Sequence, residues 1–409
     1  MRNVSTLNPY LVSRMQSFGS TIFAQMSELA VQTRSINLGQ GFPDFDGPED
    51  IKQAAIRAIE QGHNQYPPAQ GIPALREAIA LHQKTFNNLS YDPNTEILVT
   101  AGATEAIAAS LLALIEPGDE VLVFEPFYDS YNAAIVMAQG KITPIPLKEP
   151  EWTIDFDYMA SVITERTRAV VVNSPHNPTG KVFTEEELKM VAQLCLQHDL
   201  IAITDEVYEH LVFEGNHISL AQIAGMQERS IVISSAAKTF SLTGWKIGWL
   251  CAPRELAQAA RTTKQFLTYV NGAPFQEAIA FALESGNHYT DLIAHQLKGP
   301  RSELTRSLTE IGLKVCSNSG TYFLVTDIST ITDEDSMTFC LKLPERIGVV
   351  AVPMEPFYDT PKSGRTLVRW AFCKTPDAIA SATERISQLK TKLPSHSKSS
   401  SRRCKDQGS

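Results

Sequence analysis

The sequence predicts an α/β fold, with a large unit built on a mainly parallel sheet flanked by helices and a smaller α+β unit after it. Two observations carry this expectation. Short apolar, β-branched runs alternate with helix-like stretches through the middle of the chain, as strands buried on both faces do. Beyond about residue 290 the pattern changes to long amphipathic stretches flanking isolated strand-like segments. The corresponding division is an N-terminal arm over 1–45 that shares in the small unit, a large unit over 46–290, a small C-terminal unit over 291–393 and a disordered tail over 394–409.

In chain order, the strand-like runs of the large unit are 96–100 (EILVT), 120–124 (EVLVF), 168–173 (RAVVVN), 200–204 (LIAIT), 230–234 (SIVIS) and 246–251 (KIGWLC). Between them, 104–115 reads as a helix ended by the turn EPGDE, and 184–198 as a helix opened by TEEEL, where a threonine precedes acidic residues. In the small unit, helices are expected over 295–311 and 377–393, and strands over 321–327, 349–353 and 366–372. The N-terminal residues precede the first sheet signals and must pack on the small unit or on a neighbour. The last stretch, SHSKSSSRRCKDQGS, is Ser-rich, basic and almost without apolar residues, so it cannot offset the entropy of ordering.

The chain has 409 residues, 43% hydrophobic and 20% charged, a composition that folds. Its net charge of -9 gives no general attraction to nucleic acid or anionic membrane, which favours a small-molecule partner. Six cysteines (Cys195, Cys251, Cys316, Cys340, Cys373 and Cys404) are scattered without CxxC spacing, so no metal site or disulfide framework is indicated, and a reducing, cytoplasmic setting is expected. No apolar stretch reaches the ~18 residues of a membrane span.

The strongest chemical signal is SSAAKTFSLTGWKIGW. Lys238 lies just past a strand among small residues, where desolvation lowers an ammonium pKa and makes the amine a better nucleophile. A surface loop lysine is the plainer alternative. Ser235 and Lys246 beside it offer a hydroxyl and a cation for a phosphate. In VTAGATEAI, Gly102, Ala103 and Thr104 sit at a strand-to-helix turn, where free N–H groups favour an anion, although such turns are usually just tight connections. Asp205 follows the strand 200–204 with Tyr208 three residues on. A carboxylate at the carboxyl end of a parallel strand faces the ligand crevice and can pair with a protonated heterocyclic nitrogen, unless it merely caps the next helix. In NSPHNPTG, Asn177 presents an amide to an oxyanion, or simply belongs to a turn. In TLVRWAF, Arg369 stands inside an apolar strand, where a guanidinium needs either a substrate carboxylate or an internal salt bridge. In EPFYDSY, Tyr128 is placed to present an aromatic face to a planar ring, with core packing as the default.

Together these segments resemble the class I, fold type I, pyridoxal-phosphate-dependent aminotransferases. The motifs NLGQGFPDF, NQYPPAQG, VTAGATEA, EPFYDSY, NSPHNPTGKVF, DEVYEHL, SSAAKTFSLTGWKIGW, SGTYFLV and VRWAF follow that family's order over residues 37 to 372. Within it, the chain is most like the methionine aminotransferase and kynurenine aminotransferase (glutamine transaminase K) group. The resemblance implies pyridoxal 5'-phosphate held as a Schiff base on Lys238, which then shuttles a proton at the substrate Cα. It implies that Asp205 pairs with the pyridine nitrogen, Tyr208 and Asn177 bind the phenolic oxygen, and Tyr128 stacks on the ring. It further implies a phosphate site of Ala103, Thr104, Ser235 and Lys246, joined by Tyr66 from the second subunit of a homodimer. Arg369, Asn177 and the Gly39 backbone would hold the carboxylate of the amino acid or 2-oxo acid. Lys246 stands where the aspartate aminotransferase branch has arginine.

The activity implied is a ping-pong transfer from a neutral amino acid, such as methionine, an aromatic, kynurenine or glutamine. The segments expected near the pocket (22–23, Tyr66, Tyr128 and 322–323) are apolar or aromatic and offer no second arginine for a dicarboxylate. A β-lyase on the same fold and a non-catalytic regulator with this fold are the alternatives. Keto-acid-independent pyruvate formation would mark the first, and a DNA-binding extension, which the chain does not show, the second.

Overall fold

The computed structural model describes residues 8–392, so the expected tail over 394–409 lies outside the described residues. Helix α1 (Ile22–Thr33) is capped by Thr21, whose side chain accepts from the Ala24 N–H, and it buries Ile22, Met26 and Ala30, spaced to share one face. Strand β1 (Ile36–Asn37) follows. Helices α2 (Glu49–Glu60) and α3 (Pro73–Phe86) lead into the large sheet.

That sheet contains β2 (Ile97–Thr100), β3 (Glu120–Glu125), β4 (Lys141–Lys148), β5 (Thr153–Ile154), β6 (Thr167–Asn173), β7 (Ile201–Asp205), β8 (Ser230–Ser235) and β9 (Gly248–Cys251), in the spatial order β2-β9-β8-β7-β6-β3-β4-β5. The five strands from β8 to β4 are parallel, and β9, β2 and β5 run antiparallel to their neighbours. Helices α4 (Ala103–Leu114), α5 (Asp129–Met137), α6 (Phe156–Ser161), α7 (Glu185–Gln197) and α8 (Ala236–Thr239) are interleaved with these strands. The expected α/β sheet is thus present, with three departures, the first being the two-residue β5, too short to leave a strand signal. β4 was not anticipated because Pro144 and Pro146 break its strand signal; it tolerates them near the sheet edge, where its outer neighbour β5 pairs only with Leu147 and Lys148. The run at 246–251 starts as a strand only at Gly248, because Lys246 adopts a left-handed conformation with φ 54°.

Helices α9 (Arg254–Lys264), α10 (Ala273–Glu284) and α11 (His288–Glu310) then lead to the smaller sheet. α11 begins seven residues before the expected 295, so its amphipathic face starts with the buried Tyr289 and Ile293. The second part contains β10 (Lys314–Val315), β11 (Phe323–Asp327), α12 (Ser336–Ile347), β12 (Val349–Val350), β13 (Val352–Pro353), β14 (Leu367–Ala371), α13 (Pro376–Ser387) and α14 (Leu389–Lys392). Its antiparallel sheet has the order β10-β11-β14-β13. The expected strand at 349–353 is split: β12 pairs in parallel with β1, and β13 joins the four-stranded sheet. α1 packs on α12, β12 and β13, which brings the N-terminal segment onto the C-terminal part of the chain. Among the described residues, no helix is long and apolar enough to cross a membrane.

Candidate active site

Asn173, Asp205 and Ser235 are the last residues of β6, β7 and β8, so three adjacent parallel strands deliver polar side chains to one end of the sheet. α4 begins at that same end, and β14 brings Arg369 from the smaller sheet. Together they enclose a cavity of about 350 Å³. Ligands of open α/β sheets bind outside the carboxyl ends of the strands for this reason.

One end of the cavity suits an anion. Gly102, with φ 77°, turns the chain from β2 into α4, so the N–H groups of the first helical turn face the cavity edge at Ala103 and Thr104. The Lys246 ammonium reaches this turn: a Cβ built on Gly102 would lie 3.2 Å from its Nζ. Gly248 permits the approach, because a Cβ there would come within 2.5 Å of the Gly102 carbonyl carbon. Lys246 forms no ion pair with a side chain of the described residues. A lysine and a helix N-terminus therefore converge with Ser235, and no carboxylate of the described residues pairs with that lysine.

At the centre, the Asp205 carboxylate is buried, and its Oδ2 accepts a 2.5 Å hydrogen bond from the Tyr131 hydroxyl. Burial pushes its pKa up to about 6, against the hydrogen bonds from Tyr131 and the Val207 N–H. Asn173 braces the loops on either side, donating from Nδ2 to the Asp205 carbonyl (2.7 Å) and accepting at Oδ1 from the Asn177 N–H (2.7 Å). Tyr128 meets Tyr131 edge-on at 5.8 Å. Lys238 donates from Nζ to the Gly41 carbonyl at 3.0 Å and lies 5.6 Å and 5.9 Å from the ring centres of Tyr322 and Tyr208. Desolvation among these rings lowers its pKa to about 8, with Arg369 and Lys246 acting in the same direction.

Arg369 is buried at the opposite end. Its Nη1 donates to Asn177 Oδ1 (2.9 Å), its Nη2 donates to the Gly39 carbonyl (3.0 Å), and its guanidinium lies 4.0 Å from the centre of the Phe323 ring, with Phe23 and Phe357 also close. Burial lowers its pKa to about 10, so it remains charged at neutral pH. Its Nε is buried without a hydrogen-bond partner, and it has no ion pair among the described residues. The internal salt bridge that could have explained an arginine in an apolar strand is therefore not formed there.

Of the residues singled out in the sequence, Ala103, Thr104, Tyr128, Asn177, Asp205, Tyr208, Ser235, Lys238, Lys246 and Arg369 all line this cavity. Gly39 stands behind it, its N–H donated to Asn37 Oδ1 and its carbonyl holding Arg369. Tyr66 is outside it, 81% exposed and edge-on to Tyr269 at 5.7 Å. Sequence reasoning passed over Tyr131 and Asn173. Tyr131 lies three residues after Tyr128 on α5, so helical spacing could have placed both rings on one face. Asn173 ends its strand as Asp205 does.

Residues 33–386 match the family model for aminotransferase class I and II. The chain is 48% identical over 390 residues to the probable N-succinyldiaminopimelate aminotransferase DapC of Mycobacterium tuberculosis, covering 92% of this chain and 98% of that one. It is 39% identical to the methionine aminotransferase of Escherichia coli, over 94% of this chain and 100% of that one, and 35% identical to the kynurenine–oxoglutarate transaminase of Dictyostelium discoideum, over 91% and 95%. The solved N-succinyldiaminopimelate aminotransferase from Mycobacterium tuberculosis aligns with a TM-score of 0.91 at 48% identity, over 93% of this chain and 100% of that one. This chain belongs to the class I and II aminotransferases and is a pyridoxal-phosphate-dependent enzyme. The methionine and kynurenine relatives agree with the resemblance read from the motifs; the succinyldiaminopimelate relative was not foreseen.

The cavity fits pyridoxal phosphate on its own chemistry. An unanswered cation at a helix N-terminus suits the phosphate, a buried carboxylate lacking a counter-ion suits a protonated ring nitrogen, and a lysine with a lowered pKa lies between them.

Proposed function

We propose that Lys238 is the attachment point of the cofactor and the group that carries the proton at the substrate Cα. The reading rests on one observation: the amine of Lys238, the carboxylate of Asp205 and the unpaired guanidinium of Arg369 all open onto a single cavity. Bound there, pyridoxal phosphate supplies the carbonyl that takes up the amino group and the electron sink that makes proton loss at Cα feasible. The chain's own residues orient and polarise. Asp205, held by Tyr131, keeps a ring nitrogen charged; Tyr208 and Asn177 bind the phenolic oxygen; Tyr128 covers one ring face; Ala103, Thr104, Ser235 and Lys246 grip the phosphate. Arg369, braced by Asn177 and the Gly39 carbonyl, takes the carboxylate common to amino acids and 2-oxo acids. One site serving donor and acceptor in turn implies ping-pong kinetics, and we place Tyr66 at the phosphate of the second subunit in a cytoplasmic homodimer.

We further propose a neutral side chain for the donor. Phe23, Phe323 and Phe357 surround Arg369, and among the described residues the cavity lining carries no second arginine, so a side-chain carboxylate would be buried without a partner at a cost of several kcal/mol. Methionine, then phenylalanine or kynurenine, should exceed aspartate. The 48% identical relative favours a second reading, an N-succinylated diamino diacid, whose remote carboxylates would have to reach beyond the apolar zone. Comparing kcat/KM for methionine, phenylalanine, kynurenine, glutamine, aspartate and N-succinyldiaminopimelate with one common keto acid separates them. N-succinyldiaminopimelate ahead of methionine by about tenfold, or roughly 1.4 kcal/mol, selects the second reading. Aspartate in first place removes both. Borohydride reduction should place the pyridoxyl label on Lys238; a label on Lys246 would defeat the assignment of the attachment point.

A further inference from the structure

Behind β7, away from the active-site cavity, α3 and the segment that follows β7 bring together His82, Glu209 and His210. Their ligating atoms all lie within 4.8 Å of one another. The two imidazoles face each other with Nε2 to Nε2 at 2.9 Å. Phe86 walls one side, its ring 5.3 Å from His82 and 4.3 Å from His210. Glu209 is 1% exposed. Its Oε1 accepts from Ser234 Oγ at 2.5 Å and its Oε2 from Asn87 Nδ2 at 3.4 Å, so two neutral groups orient the carboxylate, and the His217 imidazole lies within 4.8 Å of it without bonding to it.

The neighbouring carboxylate is treated differently. Glu206 pairs with His217 at 2.9 Å and accepts from Ser219 Oγ, which matches its charge inside the protein. Glu209 forms no direct ion pair among the described residues, because the His217 imidazole near it is bonded to Glu206, and burying a carboxylate without a bonded cation is costly. The imidazole pair is also incompletely used: a hydrogen bond between them engages one donor and one lone pair, while the buried Nδ1 of His82 has no partner, so the ring is held through Nε2 alone. His82 and Phe86 line a second cavity of about 330 Å³ together with Glu284 and Asn287, which gives an ion a route to His82 and space for a water ligand.

We propose that His82, His210 and Glu209 form a binding site for a borderline divalent transition-metal ion of the zinc class. Two imidazole nitrogens and a carboxylate oxygen make the donor set of such ions, whereas magnesium and calcium take oxygen ligands. Tetrahedral bonds of ~2.0–2.2 Å bring ligand atoms about 3.4 Å apart, which small side-chain rotations reach from the present spacing. Ser234 and Asn87 are the outer groups that aim the carboxylate. The ion bonds the Glu209 carboxylate directly and ties α3 to the segment Asp205–His210, so it braces the turn that carries Asp205 and Tyr208 without touching the reacting atoms. The scattered cysteines pointed away from any metal, and only folding assembles this cluster from residues 128 positions apart.

The test uses the untagged, cofactor-loaded enzyme after dialysis against a chelator. Zn²⁺ is titrated against a chromophoric competitor, and Co²⁺ is used as a spectroscopic substitute. The expected result is one tightly held Zn²⁺ per chain and Co²⁺ visible bands of a low-coordinate N/O site, with millimolar Mg²⁺ or Ca²⁺ displacing neither. His82→Gln and His210→Gln should each weaken Zn²⁺ by more than about 100-fold, and Ser234→Ala by about 10-fold. Zinc binding should also raise the unfolding midpoint of the wild type, and that rise should vanish in the two histidine variants. Absence of a tight equivalent in the wild type overturns the proposal whether or not the variants fold. Undiminished affinity in folded His82→Gln and His210→Gln overturns it equally.

Discussion

Tyr131 shows how much one hydroxyl can decide. Among the described residues its hydroxyl is the one side chain that hydrogen-bonds to the Asp205 carboxylate, in a setting where burial alone would favour protonation. Tyr131→Phe should leave the fold intact, destabilise the cofactor-free protein by about 1–3 kcal/mol, as expected for a hydrogen bond to a charged group, and loosen cofactor binding. Apparent cofactor affinity, read by fluorescence, is the measurement, and an unchanged affinity would show that Asp205 needs no such support. Lys238 gives a second prediction at this scale. With its pKa lowered to about 8 from 10.5, the amine is neutral above about pH 8. The rate at which cofactor-free protein develops visible absorbance on mixing with pyridoxal phosphate should therefore rise with pH through a midpoint near 8. A midpoint near 10.5 would mean that the surrounding rings do not desolvate the amine. Lys238→Ala should abolish transamination while the cofactor still binds non-covalently.

Elements carry these residues, and their ends are where sequence signals were sharpest. The TEEEL start of α7 is a full capping box: Thr184 Oγ1 accepts from the Glu187 N–H at 3.2 Å, and Glu187 accepts from the Thr184 N–H at 3.0 Å. Thr184→Ala should cost about 1 kcal/mol in urea unfolding, with no change in kcat. α12, which the periodicity did not reveal, is pinned by Arg346, which reaches back to Glu334 with a two-pronged hydrogen bond of 2.6 Å and 2.8 Å. The Arg346 hydrogen bonds, followed by Lys342, pull the Glu334 pKa to about 2 from 4.5. The folded pKa lies below the unfolded one, so this contribution is complete above about pH 4.5 and disappears as pH falls toward 2. Arg346→Ala should lower stability at pH 7, and the difference from wild type should shrink on acidification over that window. A pH-independent difference would assign the effect to lost packing of the arginine stem instead.

At the scale of the whole molecule, global stability should register the unmatched charge at Asp205. Its folded pKa of about 6 exceeds the ordinary 3.8, so the folded protein holds the proton that the unfolded chain releases between these values. Stability of the cofactor-free protein should thus fall as pH rises from about 4 to about 6, by about 3 kcal/mol from this group, and Asp205→Asn should remove that part of the slope. Equal slopes in the two proteins would place the carboxylate in a wetter setting. Much of this molecule was legible in the chain itself. The β-branched runs announced the central strands because strands covered on both faces must be apolar throughout, and Lys238, Asp205 and Arg369 were conspicuous because charges seldom stand at such positions without a partner. The proline-bearing β4, the split of 349–353 between two sheets and the helix α12 escaped notice, since neighbouring strands and packing decide them more than local propensity does. Sequence alone determined the fold class, the family and the residues around which to look, because burial and charge leave their mark residue by residue. Tertiary structure alone decided that Tyr131 holds Asp205, that Arg369 meets Asn177 and Gly39 in place of a carboxylate of the described residues, and that His82 meets Glu209 and His210, because each of those contacts joins segments far apart in the chain whose meeting no local pattern encodes.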